Sequence, residues 1–402
     1  MTPRRRRSTI RSESPAAAGQ DSFREETPLQ IRFVPALKVT AVVAALAAVA
    51  LCAAPPAGAE PPARRAATRV PAGLTAGIAV YDRQTGSFTE QLNTRMRFRS
   101  ASVVKLLIAL DHLWLRGPAY SLPADDRQRL DLMLRSSDDG AAGHFWTQNG
   151  QSAIVDRMVA RLKLADTAPP PSAYPGYWGY TSLSAGDTVR IYRYILDTAP
   201  APVRDYIMGN LRRATRCGTD GFDQSFGIAA VFDRPWAVKQ GWSGFSSAGC
   251  ADTGRPRTAA ADGVDLAREA LHTTGTVGAD DRAIVAVFTL HAQGTPYGKA
   301  YSDLGELTRA LRVPGAVRTP GTWFGTWGTG IQVRAQATTD SPVLTTLPAG
   351  VDALVGCQKQ GQKVSVPPYS NDWWAYLPKY GGYITNIFMA SPGNRLPDVP
   401  VC

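Results

Sequence analysis

Apolar and polar positions alternate from Leu74 to Tyr81 and again from Ser87 to Leu92, with Gln84-Thr85-Gly86 between them, which predicts an antiparallel hairpin. From Ser102 to Leu115 the apolar residues fall at helical spacing, and Gly117-Pro118 ends the run. The same period predicts helices over Asp125–Leu134, Ile154–Leu162, Asp187–Leu196 and Val203–Arg213. Residues 165–180 are dense in Pro, Tyr and Gly and predict a long irregular loop. Strands are expected over Trp236–Gly241, Glu269–Val277 and Arg282–His291, then a closing helix over Tyr301–Leu311. Strands, helices, strands and a final helix predict an α+β domain, an antiparallel sheet flanked by helices, over residues 73–312.

A Pro/Gly/Thr-rich linker follows at 313–327. Beyond it, Ile331–Arg334, Val343–Leu347, Asp352–Val355, Trp373–Leu377 and Tyr383–Thr385 are short strands at regular spacing, the signature of a small all-β barrel over 328–402. A unit of this size has a marginal core of its own. Of Trp373 and Trp374, at most one can point inward on a strand.

The N-terminal pattern is different in kind. Val39 to Ala54 is almost purely apolar, follows Lys38, and precedes Ala57-Gly58-Ala59. That predicts a leader over residues 1–59, cleaved after Ala59, then a flexible lead-in over 60–72. An uncleaved anchor is the alternative, but the run is shorter than the ~20 residues a spanning helix needs. Cys52 follows Leu51 rather than a small residue, which argues against lipid attachment there. The expected location is therefore secreted or envelope-associated. Loss of the leader leaves Cys217, Cys250, Cys357 and Cys402, an even count that favours disulfides in an exported chain. Three pairings are open, and the domain limits favour Cys217–Cys250 and Cys357–Cys402.

With 44% hydrophobic residues the 402-residue chain can bury a core, which excludes a disordered protein. The net charge of +11 suits anionic partners such as wall polymers or lipid headgroups. No basic cluster interleaved with aromatics stands in the folded part, so nucleic acid is not expected. His112, His144, His272 and His291 are scattered without ligand spacing, so neither a metal nor another cofactor is expected. A monomer is expected. Gly241-Trp242-Ser243-Gly244 lacks the final glycine of a nucleophile elbow.

Three motifs carry candidate chemistry, in order: Ser102-Val103-Val104-Lys105, Ser137-Asp138-Asp139 and Lys239-Gln240-Gly241. Ser102 opens a helix and Lys105, three residues on, shares its face. A serine hydroxyl becomes a nucleophile when a neighbour takes its proton. A lysine does this as the free amine, favoured by burial and a second cation, here Lys239. Backbone N–H groups of Ser102 and Trp242 are candidate oxyanion donors, and Ser137 a candidate proton relay.

With those motifs, and with Phe98–Leu106, Ser137–Ala142, Gly218–Gly227 and Val238–Trp242 around them, residues 73–312 resemble the β-lactamase-like, penicillin-binding-type serine hydrolases, especially an exported actinobacterial branch. The resemblance implies Ser102 as acylated nucleophile, Lys105 as base, Ser137 as shuttle and Lys239 as the cation facing a substrate carboxylate. It implies substrate-binding positions at Asp139, Gln240, Gly241 and Trp242, and a β-lactam or peptidoglycan peptide as substrate. Three departures stand out. The 165–186 loop holds no Glu to activate a deacylating water, with Asp166 at its entry, so slow deacylation is expected. Asp139 replaces an Asn, and Gln240 replaces a hydroxyl residue. These leave a second expectation: a catalytically idle, wall-associated binding protein. Residues 328–402 resemble bacterial SH3-like domains through Ile331–Arg334, Leu347–Gly350, Cys357–Gly361, Asn371–Trp374 and Gly381–Thr385, which implies attachment to the cell wall.

Overall fold

The computed structural model describes residues 70–245, 250 and 264–402. The expected leader, its cleavage site and most of the lead-in lie outside the described residues. The described residues form one compact unit.

Strands β1 (Thr75–Asp82) and β2 (Ser87–Leu92) form the expected hairpin, with Ile78 opposite Leu92 and Asp82 opposite Ser87. The two-residue strand β3 (Phe98–Arg99) leads into a 3₁₀ turn, Ala101–Val104, that runs directly into α1 (Lys105–Trp114). Every residue of α1 from Lys105 to Leu113 is buried, as a helix through the middle of a domain requires. Helices α2 (Ala124–Arg135), α3 (Asp139–Gln148) and α4 (Ser152–Leu162) pack around it. The short β4 (Ser182–Leu183) pairs with β3, and α5 (Ala185–Arg193), α6 (Ala201–Leu211) and the single-turn α7 (Ile228–Val231) follow. Then come β5 (Trp236–Ser243), β6 (Ala270–Val277), β7 (Ala283–Leu290) and α8 (Tyr297–Ala310). The sheet order is β2-β1-β7-β6-β5, antiparallel throughout. The fold is α+β, an antiparallel sheet flanked by helices, as the pattern predicts.

Period two splits the sheet between two cores. Ala79 and Tyr81 of β1, with Ile284, Ala286 and Phe288 of β7, face α1 and its neighbours. Ala76, Ile78 and Val80, with Val285 and Val287, face α8. Both faces are covered, so β7 reads as a near-continuous apolar run.

The second core continues past α8 into the C-terminal part. There β8 (Thr322–Gly325), β9 (Ile331–Arg334), β10 (Val343–Leu347), β11 (Asp352–Val355), β12 (Cys357–Val366), β13 (Tyr369–Leu377) and β14 (Gly382–Thr385) form a five-stranded sheet, β10-β9-β14-β13-β12, and a β8/β11 pair. Ile331, Val333, Leu347 and Val351 join Leu304 and Leu307 of α8 in one cluster. Gly298 lets the elements approach closely: a Cβ there would overlap the Ala349 carbonyl oxygen. Polar ties add to this. Arg216 pairs with buried Asp223 at 2.8 Å and donates to the Thr346 carbonyl at 2.6 Å, and Arg309 pairs with Asp352 at 2.9 Å. The expected linker is partly built in, since Val313 is buried and β8 lies within 313–327.

Disulfides join Cys217 to Cys250 and Cys357 to Cys402. Trp374 is buried, and Trp373 lies under the Arg395 guanidinium, 5.2 Å from its ring centroid. Among the described residues no helix is long and apolar enough to cross a membrane.

Candidate active site

Ser102 sits in the 3₁₀ turn that opens α1, and the turn places Lys105 on the same face. Ala101, just before it, has φ 44°, and Ser137, between α2 and α3, has φ 56°. Left-handed backbone at non-glycine residues costs about 1–3 kcal/mol each and is retained where surrounding structure enforces it. Two such positions flank this cluster. Asp138 follows Ser137 and caps α3, its Oδ1 accepting from Ala141 N at 2.6 Å, which fixes where the Ser-Asp-Asp segment turns.

The four side chains converge. Lys105 Nζ donates to Ser102 Oγ at 2.9 Å, to Ser137 Oγ at 3.2 Å, to the Ser137 carbonyl and to Asp139 Oδ1 at 2.8 Å. Lys239 Nζ, from the sheet's edge strand β5, donates to Ser137 Oγ at 2.8 Å. Ser137 Oγ thus joins both lysines. Both lysines are fully buried, and burial pulls each below the usual lysine range. For Lys105 the Asp139 carboxylate opposes that shift; for Lys239 the charge of Lys105 adds to it. The Trp178 ring also faces Lys105 Nζ at 4.6 Å and favours its charged form.

Strand β5 reaches the turn because Gly241 has no side chain. A Cβ there would lie 2.9 Å from the Ser100 carbonyl oxygen and 3.1 Å from Val103 Cγ2. Trp242, next along, lines the cleft above Ser102, stacks on Phe222 and donates its indole N–H to Asp220 Oδ2 at 3.0 Å. The cleft, about 190 Å³, is also lined by Asp139, Tyr177, Trp178 and Phe245.

Gln240 does not join this group. On a strand its side chain points opposite to that of Lys239, and its amide donates to the Gln224 and Phe226 carbonyls at 3.2 and 2.7 Å. The expectation of Gln240 at a substrate carboxylate therefore meets a buried side chain committed elsewhere. Asp166 is also held away: it accepts from Arg95 at 3.3 Å.

Sequence reasoning missed Asp220 as a cleft residue, although its Gly218–Gly227 segment was visible. On sequence alone Tyr174, Tyr177, Trp178 and Tyr180 could line a substrate cleft or pack the loop, with packing slightly favoured. The structure has them doing both: Tyr177 stacks on Tyr180 and Tyr174 meets both edge-on, while Tyr177, Trp178 and Tyr180 line the cleft. Among the described residues no group of three His, Cys, Asp or Glu is placed to hold a metal. His112 pairs with Asp126 at 3.2 Å, and His272 Nε2 lies 2.8 Å from the Arg99 carbonyl, away from the cluster.

No family model matches the chain. A stretch of 175 residues is 41% identical to proteins described as "Putative lipoprotein LppW" from Mycobacterium bovis and Mycobacterium tuberculosis, covering 42% of this chain and 54% of theirs. The chain thus spans about half the length of the curated relatives it matches. Solved structures similar to it include a β-lactamase from Chitinophaga pinensis (TM-score 0.43, 14% identity, 58% of this chain and 92% of that one). A class A β-lactamase from Mycobacterium abscessus has a TM-score of 0.41 at 18% identity, over 59% and 92% of the two chains. The structure of PBP-A has a TM-score of 0.42 at 16% identity, over 59% and 88%.

Proposed function

We propose that the protein is an exported, monomeric serine hydrolase of the β-lactamase/penicillin-binding type, which transfers an acyl group to Ser102 from a β-lactam or a peptidoglycan peptide. The observation that carries this reading is the 2.9 Å contact from Lys105 Nζ to Ser102 Oγ at the base of the cleft, with Ser137 Oγ joined to both buried lysines.

Lys105, as the free amine, takes the Ser102 proton. Ser102 Oγ bonds to the substrate carbonyl carbon, and the carbonyl oxygen becomes an oxyanion facing the backbone N–H groups of Ser102 and Trp242. Collapse breaks the scissile C–N bond, and the leaving nitrogen takes a proton from Ser137 Oγ, which regains one from Lys105. The sum is one ester formed, one amide broken and one proton moved from Ser102 to the leaving amine. Water must then cleave the ester. The 165–186 loop holds no Glu, and its Asp166 is engaged with Arg95, which supports slow deacylation. Residues 328–402 are assigned an SH3-like role in wall attachment. Export is supported by the Val39–Ala54 run and by relatives described as lipoproteins.

A second reading, an idle wall-associated binding protein, is favoured by Asp139 Oδ1 at 2.8 Å from Lys105 Nζ, because a carboxylate there stabilises the ammonium. Parallel incubation of wild type and Ser102→Ala with a chromogenic cephalosporin and a fluorescent penicillin separates the two. A wild-type adduct with little turnover supports the slow acyl-enzyme. No adduct and no turnover favours the idle protein.

A further inference from the structure

A groove of about 680 Å³ opens on the C-terminal sheet, where Trp327, the start of β13 and the 386–394 segment meet. None of its lining residues is Asp, Glu, Lys or Arg, in a chain that is 19% charged. Two large aromatic side chains stand exposed at it, Trp327 at 38% and Tyr369 at 62%. Their ring centroids are 6.1 Å apart with the planes at 63°, and Phe388 packs against Trp327 at 5.5 Å. Among the described residues of the C-terminal part these are the exposed aromatics; Trp373 and Trp374, nearby on β13, are covered or buried.

The deeper part of the groove is amide and hydroxyl. Asn371 Nδ2 and Asn386 Nδ2 both donate to the Asn394 carbonyl, at 3.0 and 3.1 Å, and Asn386 Nδ2 also reaches Gln358 Oε1 at 3.1 Å. Those bonds fix the Asn386 amide with its oxygen the other way. Asn386 Oδ1 and Ser391 Oγ are buried without a hydrogen-bond partner among the described residues. A buried polar atom left unpaired costs about 1–3 kcal/mol, and both oxygens belong to residues that line the groove.

We propose that this groove binds an uncharged saccharide. The absence of lining charge selects against anionic and cationic ligands. Trp and Tyr offer broad apolar faces with a polar tip, matched to the C–H face of a pyranose ring. Carboxamides and a hydroxyl donate and accept, as sugar hydroxyls do. A proline-rich peptide would use the aromatic faces and make little use of the lining carboxamides and hydroxyls. This site is separate from the Ser102 cleft and does not depend on acyl transfer.

The test is calorimetric titration of the full chain with three neutral tetrasaccharides, β-1,4-linked N-acetylglucosamine, cellotetraose and maltotetraose, and with a neutral proline-rich peptide. Trp327→Ala and Tyr369→Ala serve as variants, both exposed positions whose loss leaves the core intact. The expected result is binding of at least one tetrasaccharide, weakened about tenfold or more in each variant, with unchanged penicillin labelling and thermal midpoint. No saccharide binding, saccharide binding that both variants retain, or variant-sensitive binding of the peptide alone would each overturn the proposal.

Discussion

Asp139 Oδ1 lies 2.8 Å from Lys105 Nζ, the same nitrogen that lies 2.9 Å from Ser102 Oγ. One amine therefore faces both the hydroxyl it would deprotonate and a carboxylate that stabilises its proton. Burial lowers the proton affinity of Lys105 and Asp139 raises it, with burial the larger effect.

That balance sets a pH dependence. Acylation needs the free amine, so its rate should rise with pH through the depressed pKa of Lys105 and level off below the ordinary lysine range. Asp139→Asn removes the opposing charge and should move this rising limb to lower pH. At neutral pH the acylation rate should therefore increase. Stopped-flow labelling across pH 5–10 measures it, and a limb that stays in place or moves upward contradicts the role given to Lys105.

Gly241 lets β5 touch the turn that carries Ser102. Gly241→Ala puts a methyl 2.9 Å from the Ser100 carbonyl, a backbone atom that cannot swing aside. The expected cost is about 1–3 kcal/mol of stability, with a fall in acylation rate larger than the lost folded fraction explains. Denaturant melts and labelling kinetics on one preparation check it. Wild-type kinetics in Gly241→Ala would show that the contact between β5 and the turn does not set the site.

How far the sequence made this legible depended on what each residue had to announce. The convergence of Ser102, Lys105, Ser137 and Lys239 was readable because the three motifs that carry them occur together and in order. The hairpin and α1 were readable from periods of two and 3.6, and β7 from a short, β-branched apolar run that suits a strand buried on both faces. Helix α3 was not: Gly140 and Gly143 weaken its propensity, and it forms because Asp138 caps it and Phe145 and Trp146 bury. Strand β12 was missed because Gln358 is its one buried residue; Lys359, Gln360, Gln362 and Lys363 suit the polar edge it occupies. That the Gln240 side chain turns to the Gln224 and Phe226 carbonyls was not legible, because motif position says nothing about strand face. Trp327 fell within a presumed linker, so its place beside Tyr369 needed the fold.

His272 provides a prediction independent of catalysis. It is fully buried, and burial pushes its pKa down to about 3. Between about pH 6.5, the unfolded value, and pH 3 the unfolded chain binds the extra proton and the folded chain does not. Stability from this group is therefore intact above pH 6.5 and is lost as pH falls through that window, at a limiting slope of about 1.4 kcal/mol per pH unit. His272→Gln, which keeps a donor for the Arg99 carbonyl, should flatten the acid side of a stability–pH profile measured by urea unfolding. An imidazole resonance of His272 titrating near pH 6.5 would contradict its burial.

The most direct measurement is the location of the acyl group after labelling with a fluorescent penicillin, by tandem mass spectrometry of the digested full chain. The account predicts a single modified peptide, with the adduct on Ser102, stable for minutes or longer and absent from Ser102→Ala. A label on any other residue, a label retained by Ser102→Ala, or no label at all contradicts it.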